Sequence, residues 1–372
     1  MKKIFKIFKN TKLLNFIKKV ILRLLSQKYV YGDNLPIKSD VIKFYNDFIG
    51  HTHGSLSELN KVEENLIQWV LPNFGMGSGG HLNIFRYIKA LSKKGYKNHI
   101  IIIGENDWKS EKHALKAIGE FYFPIDASIG FGINAFKPSK ITFATGWQTA
   151  YWVSKHQASQ KKFYFVQDFE PNFYPISSMS ILAENTYKLG LCGITAGTWL
   201  KDKLSKEYNM ECHSISFSFD RDTYTPKEKR ENKNFNILFY SRHSSPRRMF
   251  ELGLLALDKL AAKYNDVAVI FVGGDVRNFK INFNHLNAGV LDLKDLPDLY
   301  SQCDLSLVLS GTNLSLLPLE IAACRCPLVI NNEPHASWLL PSDSAFYCET
   351  SPDSIFEKLE RAYLNKNERD LI

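Results

Sequence analysis

Nowhere in the 372 residues is there a run of eighteen apolar residues, and Arg23 interrupts the best stretch, so no segment reads as a transmembrane helix. The N-terminus also lacks a clean apolar core followed by a small-residue cleavage site, which argues against a cleavable signal peptide. Paired-cysteine motifs are missing too. Cys192, Cys212, Cys303, Cys324, Cys326 and Cys348 are scattered, with no CxxC and no metal-ligand spacing, and read as reduced core residues of a cytoplasmic protein. Residues 1–28 hold no acidic side chain at all.

That last absence locates the charge. The first 28 residues carry nine cations: Lys2, Lys3, Lys6, Lys9, Lys12, Lys18, Lys19, Arg23 and Lys28. Setting them aside leaves 38 basic residues against 38 acidic ones, so the net charge of +9 belongs to this segment and the remaining body is neutral. A body without a basic stripe does not read as a nucleic-acid binder. Within the segment, Ile4, Phe8, Leu14, Ile17, Ile21 and Leu24 follow helical spacing with lysines between them. A basic amphipathic helix over 1–28 is therefore expected to lie on an anionic membrane surface, each cation adding up to about 1 kcal/mol, the plainer alternative being a leader that packs on the body or is disordered. The expected place of the protein is the cytoplasm, peripheral on the inner face of the cytoplasmic membrane.

Residues 29–62 are mixed and read as a connector with one or two short helices. From Glu63 onward, β-rich apolar runs alternate with helix-length segments: "NLIQWVLP", a helix over 80–94, "HIIIIG", a helix near 108–118, "KITFAT", a helix over 147–158, "KFYFVQD", "LCGITAG", a helix near 198–208 and "HSISFSF". The charged stretch 220–233 then interrupts as a linker. A second series follows, with "FNILFYSR", a helix over 247–263, "VAVIFVGG", "NAGVLD", a helix over 295–303, "DLSLVLS", a helix over 315–325, "PLVINN" and "AFYCE". Repeated strand-then-helix order predicts α/β domains with doubly wound parallel sheets. The expected domains are 63–219 and 234–350, followed by a terminal helix in 351–372.

Ligands of such sheets bind outside the carboxyl ends of the strands. In the second domain those positions hold Arg242, Gly273 with Gly274, Asp292 with Leu293, and the loop "SGTNLS" containing Thr312, Asn313, Leu314 and Ser315. Arg242 ends a strand, and Pro246 predicts a helix opening with Arg247 and Arg248. Cations at a helix N-terminus oppose the macrodipole, so an anion is expected to compensate. Arginine forks match phosphate oxygens, which makes Arg242 and Arg247 the phosphate-binding pair, with Arg248 secondary and pairing to Glu251 the plainer alternative. Glu320, expected two turns into the helix of "LPLEIAAC", is a carboxylate suited to sugar hydroxyls or satisfied locally.

These motifs, with "GMGSGGHLNIFRYIKALSKKGY", "ATGWQTAYWV", "YFVQDFEPNFYP", "LYSQCDLSLVLS" and "PLEIAACRCPLVI", resemble glycosyltransferase family 4 and its two-Rossmann-domain GT-B fold. The resemblance spans about residues 65–350 and is strongest to the WsaF-type rhamnosyltransferases. It implies that Arg242 and Arg247 hold the diphosphate of a nucleotide-sugar donor and that Glu320 binds the ribose or deoxyribose of the nucleotide. It further implies a retaining transfer, with dTDP-β-L-rhamnose the favoured donor and a growing polysaccharide, lipopolysaccharide or lipid-linked glycan the acceptor. Many members carry a second glutamate eight residues before Glu320; here the position is Thr312, followed by Asn313. The terminal helix that such folds commonly return to the first domain has room to form only in part.

In the first domain the resemblance assigns Gly79, Gly80 and His81 to the acceptor and donor-sugar side. The glycine pattern lacks the dinucleotide fingerprint, and Glu105 is the nearest acid to the end of the next strand. Asp168 and Glu170 follow a strand end and suit sugar hydroxyls, with Phe169 and Phe173 able to stack on a sugar face, or Asp168 caps a turn and the aromatics fill the interior. Thr145, Gly146 and Trp147 close one strand and Thr195–Thr198 another, as weaker candidates for the same cleft. No metal is expected: "HTHG" at 51–53 offers two ligands without a third, and "DRD" at 220–222 sits in the charged linker. Without a nucleophilic triad, catalysis is expected from Arg242 and Arg247 stabilising the leaving diphosphate, with Asp168 at the reacting sugar and no prosthetic group. The alternatives are a nucleotide-sugar epimerase on the same fold and a non-catalytic nucleotide-sugar-binding protein.

Overall fold

A computed structural model describes residues 52–104 and 106–372. The expected amphipathic helix, the first part of the connector, His51 and Glu105 lie outside the described residues.

The first sheet has seven strands: β1 (Glu63–Leu71), β2 (Lys97–Ile102), β3 (Ser128–Phe131), β4 (Ser139–Ala144), β5 (Ser159–Val166), β6 (Cys192–Ala196) and β7 (Cys212–Ile215). Their order is β3-β2-β1-β4-β5-β6-β7, and every pairing is parallel. Helices α1 (Gly79–Lys93), α2 (Glu111–Phe121), α3 (Trp147–Lys155), α4 (Ser178–Asn185) and α5 (Thr198–Tyr208) run between the strands. The central strands are buried on both faces, as the apolar run Leu66–Leu71 requires. Four-residue β3 has no counterpart in the sequence reading, because glycines at 130 and 132 break its apolar pattern.

The second sheet contains β8 (Phe235–Tyr240), β9 (Val267–Val272), β10 (His285–Gly289), β11 (Leu305–Val308), β12 (Leu328–Asn331) and β13 (Phe346–Cys348), in the order β10-β9-β8-β11-β12-β13. All its pairings are parallel. Helices α6 (Phe250–Lys263), α7 (Leu296–Ser301), α8 (Leu317–Ala323) and α9 (Pro334–Ser337) accompany it. Terminal helices α10 (Pro352–Leu364) and α11 (Lys366–Leu371) follow. The expected partial return to the first domain is not what α10 does: Ile355, Leu359 and Ala362 join the second core with Phe235, Leu257 and Val269. Their 3–4 spacing makes an apolar stripe that the nearest core, that of β8 and α6, absorbs.

Both sheets reverse strand order beside their first strand, at β1/β4 and at β8/β11. A crevice opens outside the carboxyl ends at each such point. The loops after β1, β4, β8 and β11 therefore fix where a ligand can sit.

One helix start differs from expectation. Pro246–Arg248 form a 3-10 turn, Met249 adopts the left-handed conformation with φ 50°, and α6 begins only at Phe250. The Arg247 carbonyl, freed from a continuing helix, accepts the Gly311 N–H at 2.7 Å. The arginines thus stand in a turn ahead of the helix, outside its positive end. Similarly, α8 starts at Leu317, so Glu320 lies in its first turn rather than its second.

Candidate active site

The loops at the two switch points line one cleft of about 900 Å³. It gathers Gly79, Gly80, His81, Thr145, Asp168 and Glu170 from the first sheet's side. From the second it gathers Arg242, Arg247, Gly273, Gly274, Asp292, Leu293, Asn313, Leu314, Ser315 and Glu320. Of the principal expected donor and acceptor residues only Thr312 is absent from the lining, and of the weaker candidates Phe169 and Thr195–Thr198 are absent too. Thr195 is buried, with its hydroxyl donating to the Gly197 carbonyl at 3.0 Å, and neither it nor Thr198 lines the cleft.

Positive charge converges at the end of β8. Arg242 has no carboxylate within 4 Å among the described residues. Arg247 lies 4.4 Å over the Phe173 ring and donates from Nε to Asp168 at a long 3.4 Å. Arg248 is 6% exposed, lines the cleft, and has one hydrogen bond, from Nη1 to Ser310 Oγ at 2.9 Å. No carboxylate pairs with it among the described residues, and burial beside Arg247 pulls its pKa down to about 10. A buried guanidinium without a counter-ion costs several kcal/mol unless an anion joins it. Arg248 is thus the residue the sequence undervalued; the plain signal was a third arginine within the seven residues 242–248 just past a strand end.

Asp168 reaches in the other direction. Its carboxylate accepts from the Phe169 N–H at 2.9 Å, the Asn313 N–H at 2.8 Å and the Thr312 hydroxyl at 2.9 Å. Two of these donors belong to the loop after β11, so the carboxylate bridges the domains from a buried position. Asn313 completes the contact: its amide donates to the Gln167 and Ala196 carbonyls, both at 2.9 Å, and its oxygen accepts from Trp338 at 2.7 Å. The side chains of Thr312 and Asn313, expected to face the donor, are thereby committed to the other domain. Asn313 still lines the cleft, but with its hydrogen-bonding capacity taken.

Glu170 is buried and, among the described residues, bonds only within the first domain. Its oxygens accept the Trp147 N–H at 2.8 Å and the Tyr164 hydroxyl at 2.7 Å. Burial pushes its carboxyl up to about 7 against the pull of those donors. Phe169 does not face sugar; it is buried in the first core and packs on Tyr187 at 5.6 Å. Phe173, partly exposed, lines the cleft.

The glycine loop after β1 is open. Ser78 caps α1, accepting the His81 N–H, and its hydroxyl contacts His81 Nδ1 at 2.8 Å. Burial lowers the His81 pKa to about 4, so the ring lines the cleft as a neutral imidazole. Gly273 acts differently: with φ 93°, a Cβ there would meet the Tyr240 ring at 2.5 Å. Its role is close approach of two strand ends.

Glu320 is 6% exposed, and Oε1 pairs with Arg86 Nη2 of α1 at 3.5 Å. Burial raises its pKa and the Arg86 charge opposes the rise. The expected carboxylate therefore does have a partner, contributed by the other domain and invisible in its own motif.

The metal alternatives find little geometry. Asp220 of "DRD" accepts from the Asp222 N–H and the Thr223 hydroxyl within its own turn. His53 bonds the Trp152 carbonyl and stacks on His156. Cys192, Glu211 and His213 bring ligand atoms within 4.8 Å of one another at the starts of β6 and β7, away from the cleft.

Comparison with known proteins agrees with this architecture. The WsaF N-terminal domain matches residues 131–196 and the WsaF C-terminal domain matches 235–360, together 192 of the 372 residues. The O-antigen biosynthesis protein RfbC of Myxococcus xanthus is 27% identical over 313 residues, 80% of this chain. The chain spans only about a quarter (24%) of that relative's length. Among solved structures, a TarM mutant of S. aureus in complex with fondaparinux, alpha-GlcNAc-glycerol and UDP aligns with a TM-score of 0.66 at 10% identity, covering 82% of this chain and 94% of that one. WaaG, a glycosyltransferase involved in lipopolysaccharide biosynthesis, aligns with a TM-score of 0.57 at 13% identity, covering 82% and 92%. At such identities these likenesses establish the fold, which is GT-B.

Proposed function

The chain belongs to the WsaF family, and from that premise we propose that it is a glycosyltransferase moving a sugar from a nucleoside diphosphate donor to a growing surface glycan. The observation that carries this reading is the trio Arg242, Arg247 and Arg248 at the mouth of β8, with Arg248 buried and lacking a carboxylate. A diphosphate supplies the missing charge, and it is also the leaving group. Donors held in place before the reaction stabilise its departing charge without reorganising, an effect of about 3–4 kcal/mol per donor in comparable sites.

In this reading Arg242 and Arg247 remain the outer diphosphate ligands and Arg248 is the inner one. Glu320 accepts from the nucleotide's ribose or deoxyribose. Ser315, Leu314, Gly273, Gly274, Asp292 and Leu293 line the donor half, and Gly79, Gly80, His81, Thr145 and Glu170 the acceptor half. Asp168 stands between the halves, where its charge lies beside Arg247.

The finer assignment is L-rhamnose from dTDP-β-L-rhamnose, transferred with retention to a polysaccharide or lipopolysaccharide chain. It is supported by the WsaF match. The UDP in the TarM complex belongs to that protein and leaves the base open to test. Membrane attachment rests on residues 1–28; among the described residues no helix is long and apolar enough to cross a bilayer.

The test incubates the full chain with dTDP-rhamnose, with and without a rhamnan or lipopolysaccharide acceptor. Acceptor-dependent release of dTDP with sugar incorporated is expected. Isomerised nucleotide sugar without acceptor would favour epimerisation, and saturable binding without turnover would favour a sensor.

A further inference from the structure

Glu320 is held from behind by residues that do not line the cleft. Arg86, on α1 of the first domain, reaches Oε1 at 3.5 Å and also donates from Nη1 to the Ser218 carbonyl at 3.4 Å. Tyr224, in the linker, is 3% exposed, and its hydroxyl stands close enough to this carboxylate to pull the Glu320 pKa down, though outside ideal hydrogen-bond geometry. The second oxygen, Oε2, accepts no hydrogen bond among the described residues, while Glu320 itself lines the cleft. Arg86 engages Oε1 at long range, and Oε2 keeps the capacity to accept from a ligand in the cleft.

We propose that Arg86 is a positioning residue: it fixes the Glu320 carboxylate, ionised and oriented, so that Oε2 reads the hydroxyls of the bound nucleotide's sugar. This rests on the nucleotide-sugar reading of the cleft and adds that recognition in the second domain depends on a cation supplied by the first.

The surroundings give this dependence its sign. Around Glu320 stand Arg86 from α1, Asp220 and Tyr224 from the linker, Tyr300 from α7 and Cys324 just after α8. Arg86 is the one cation among them; Asp220 raises the Glu320 pKa further. A buried carboxylate deprived of its cation protonates at higher pH. Its hydroxyl-accepting form is then lost earlier as pH falls.

The experiment measures affinity of the full-length protein for UDP and for 2′,3′-dideoxy-UDP from pH 5 to 8. Both probes carry the same diphosphate, so its titration cancels in their ratio. In the wild-type protein UDP should bind on the order of tenfold more tightly at pH 8, the scale of a hydrogen bond to a charged group. The preference should fade as pH falls through the raised pKa of Glu320. In Arg86→Met the preference should shrink toward one and fade from a higher pH, with dideoxy-UDP affinity little changed; Arg86→Lys should restore part of it. Arg86→Gln, which keeps a donor for the Ser218 carbonyl, serves the same purpose if Arg86→Met does not fold.

A folded variant with the wild-type ratio and pH profile overturns the inference, as does equal weakening of both probes. A wild-type protein that binds the two equally removes Glu320 from hydroxyl recognition but leaves the diphosphate site standing. Binding of neither overturns the nucleotide reading underneath.

Discussion

At the scale of single residues, the site is a small set of buried charges, and burial sets how each responds to change. Arg248→Met removes a guanidinium with one hydrogen bond and no counter-ion, so the ligand-free protein should melt no lower than wild type, while the melting shift produced by added nucleoside diphosphate should largely vanish. Thermal scans with and without ligand separate the two effects. Glu170 tests electrostatics in the opposite sense. Its folded pKa, up at about 7 from 4.5, means the fold takes up a proton that the unfolded chain releases between those values. Stability from this group is therefore present at low pH and lost as pH rises through about 7, by up to about 3 kcal/mol. Melting of Glu170→Gln and wild type at pH 5 and pH 8 should show the variant gaining relative stability at the higher pH; an unchanged difference would contradict it. Asp168, Arg242 and Arg247 were legible because each follows an apolar strand, where parallel sheets expose their chemistry. Arg248 was legible only as a secondary candidate, because burying an arginine opposes the local rules, and Arg86 was not legible because its partner Glu320 lies 234 residues away.

At the scale of elements, the strands are the most legible feature, since doubly buried parallel strands write themselves as continuous Val, Ile and Phe runs. Helix starts were less so. The turn at Pro246–Arg248 looks helical in sequence, and only the left-handed Met249 and the Gly311 contact explain why α6 waits until Phe250. The loop after β11 is the clearest case of a role that the motif alone misassigns. Read as donor-facing, it is instead fastened to the first domain through Asn313 and Asp168. Asn313→Ala removes the side-chain bonds to Gln167, Ala196 and Trp338 and should cost about 2–4 kcal/mol. Hydrogen exchange should then rise in the 310–316 loop and the 167–174 loop together, with the strands unaffected; exchange confined to one loop would contradict a shared fastening.

At the scale of the whole molecule, the GT-B arrangement was legible from strand–helix alternation on either side of a charged linker. The interlocking of the two domains was not, because it is written in pairs such as Arg86 with Glu320 and Asp168 with Asn313 that no local pattern links. Charge is the other property of the whole: nine cations precede a neutral body. Removing residues 1–28 should release the protein from anionic vesicles in a co-sedimentation assay while leaving nucleotide affinity intact, and unchanged vesicle binding would rule the segment out as the anchor. The central claim is that the arginines at the end of β8 await a diphosphate. Calorimetric titration of the full-length protein with dTDP, UDP and GDP tests it most directly. The account predicts saturable binding, tightest for dTDP and greatly weakened by Arg242→Ala; heats indistinguishable from dilution for all three nucleotides would contradict it.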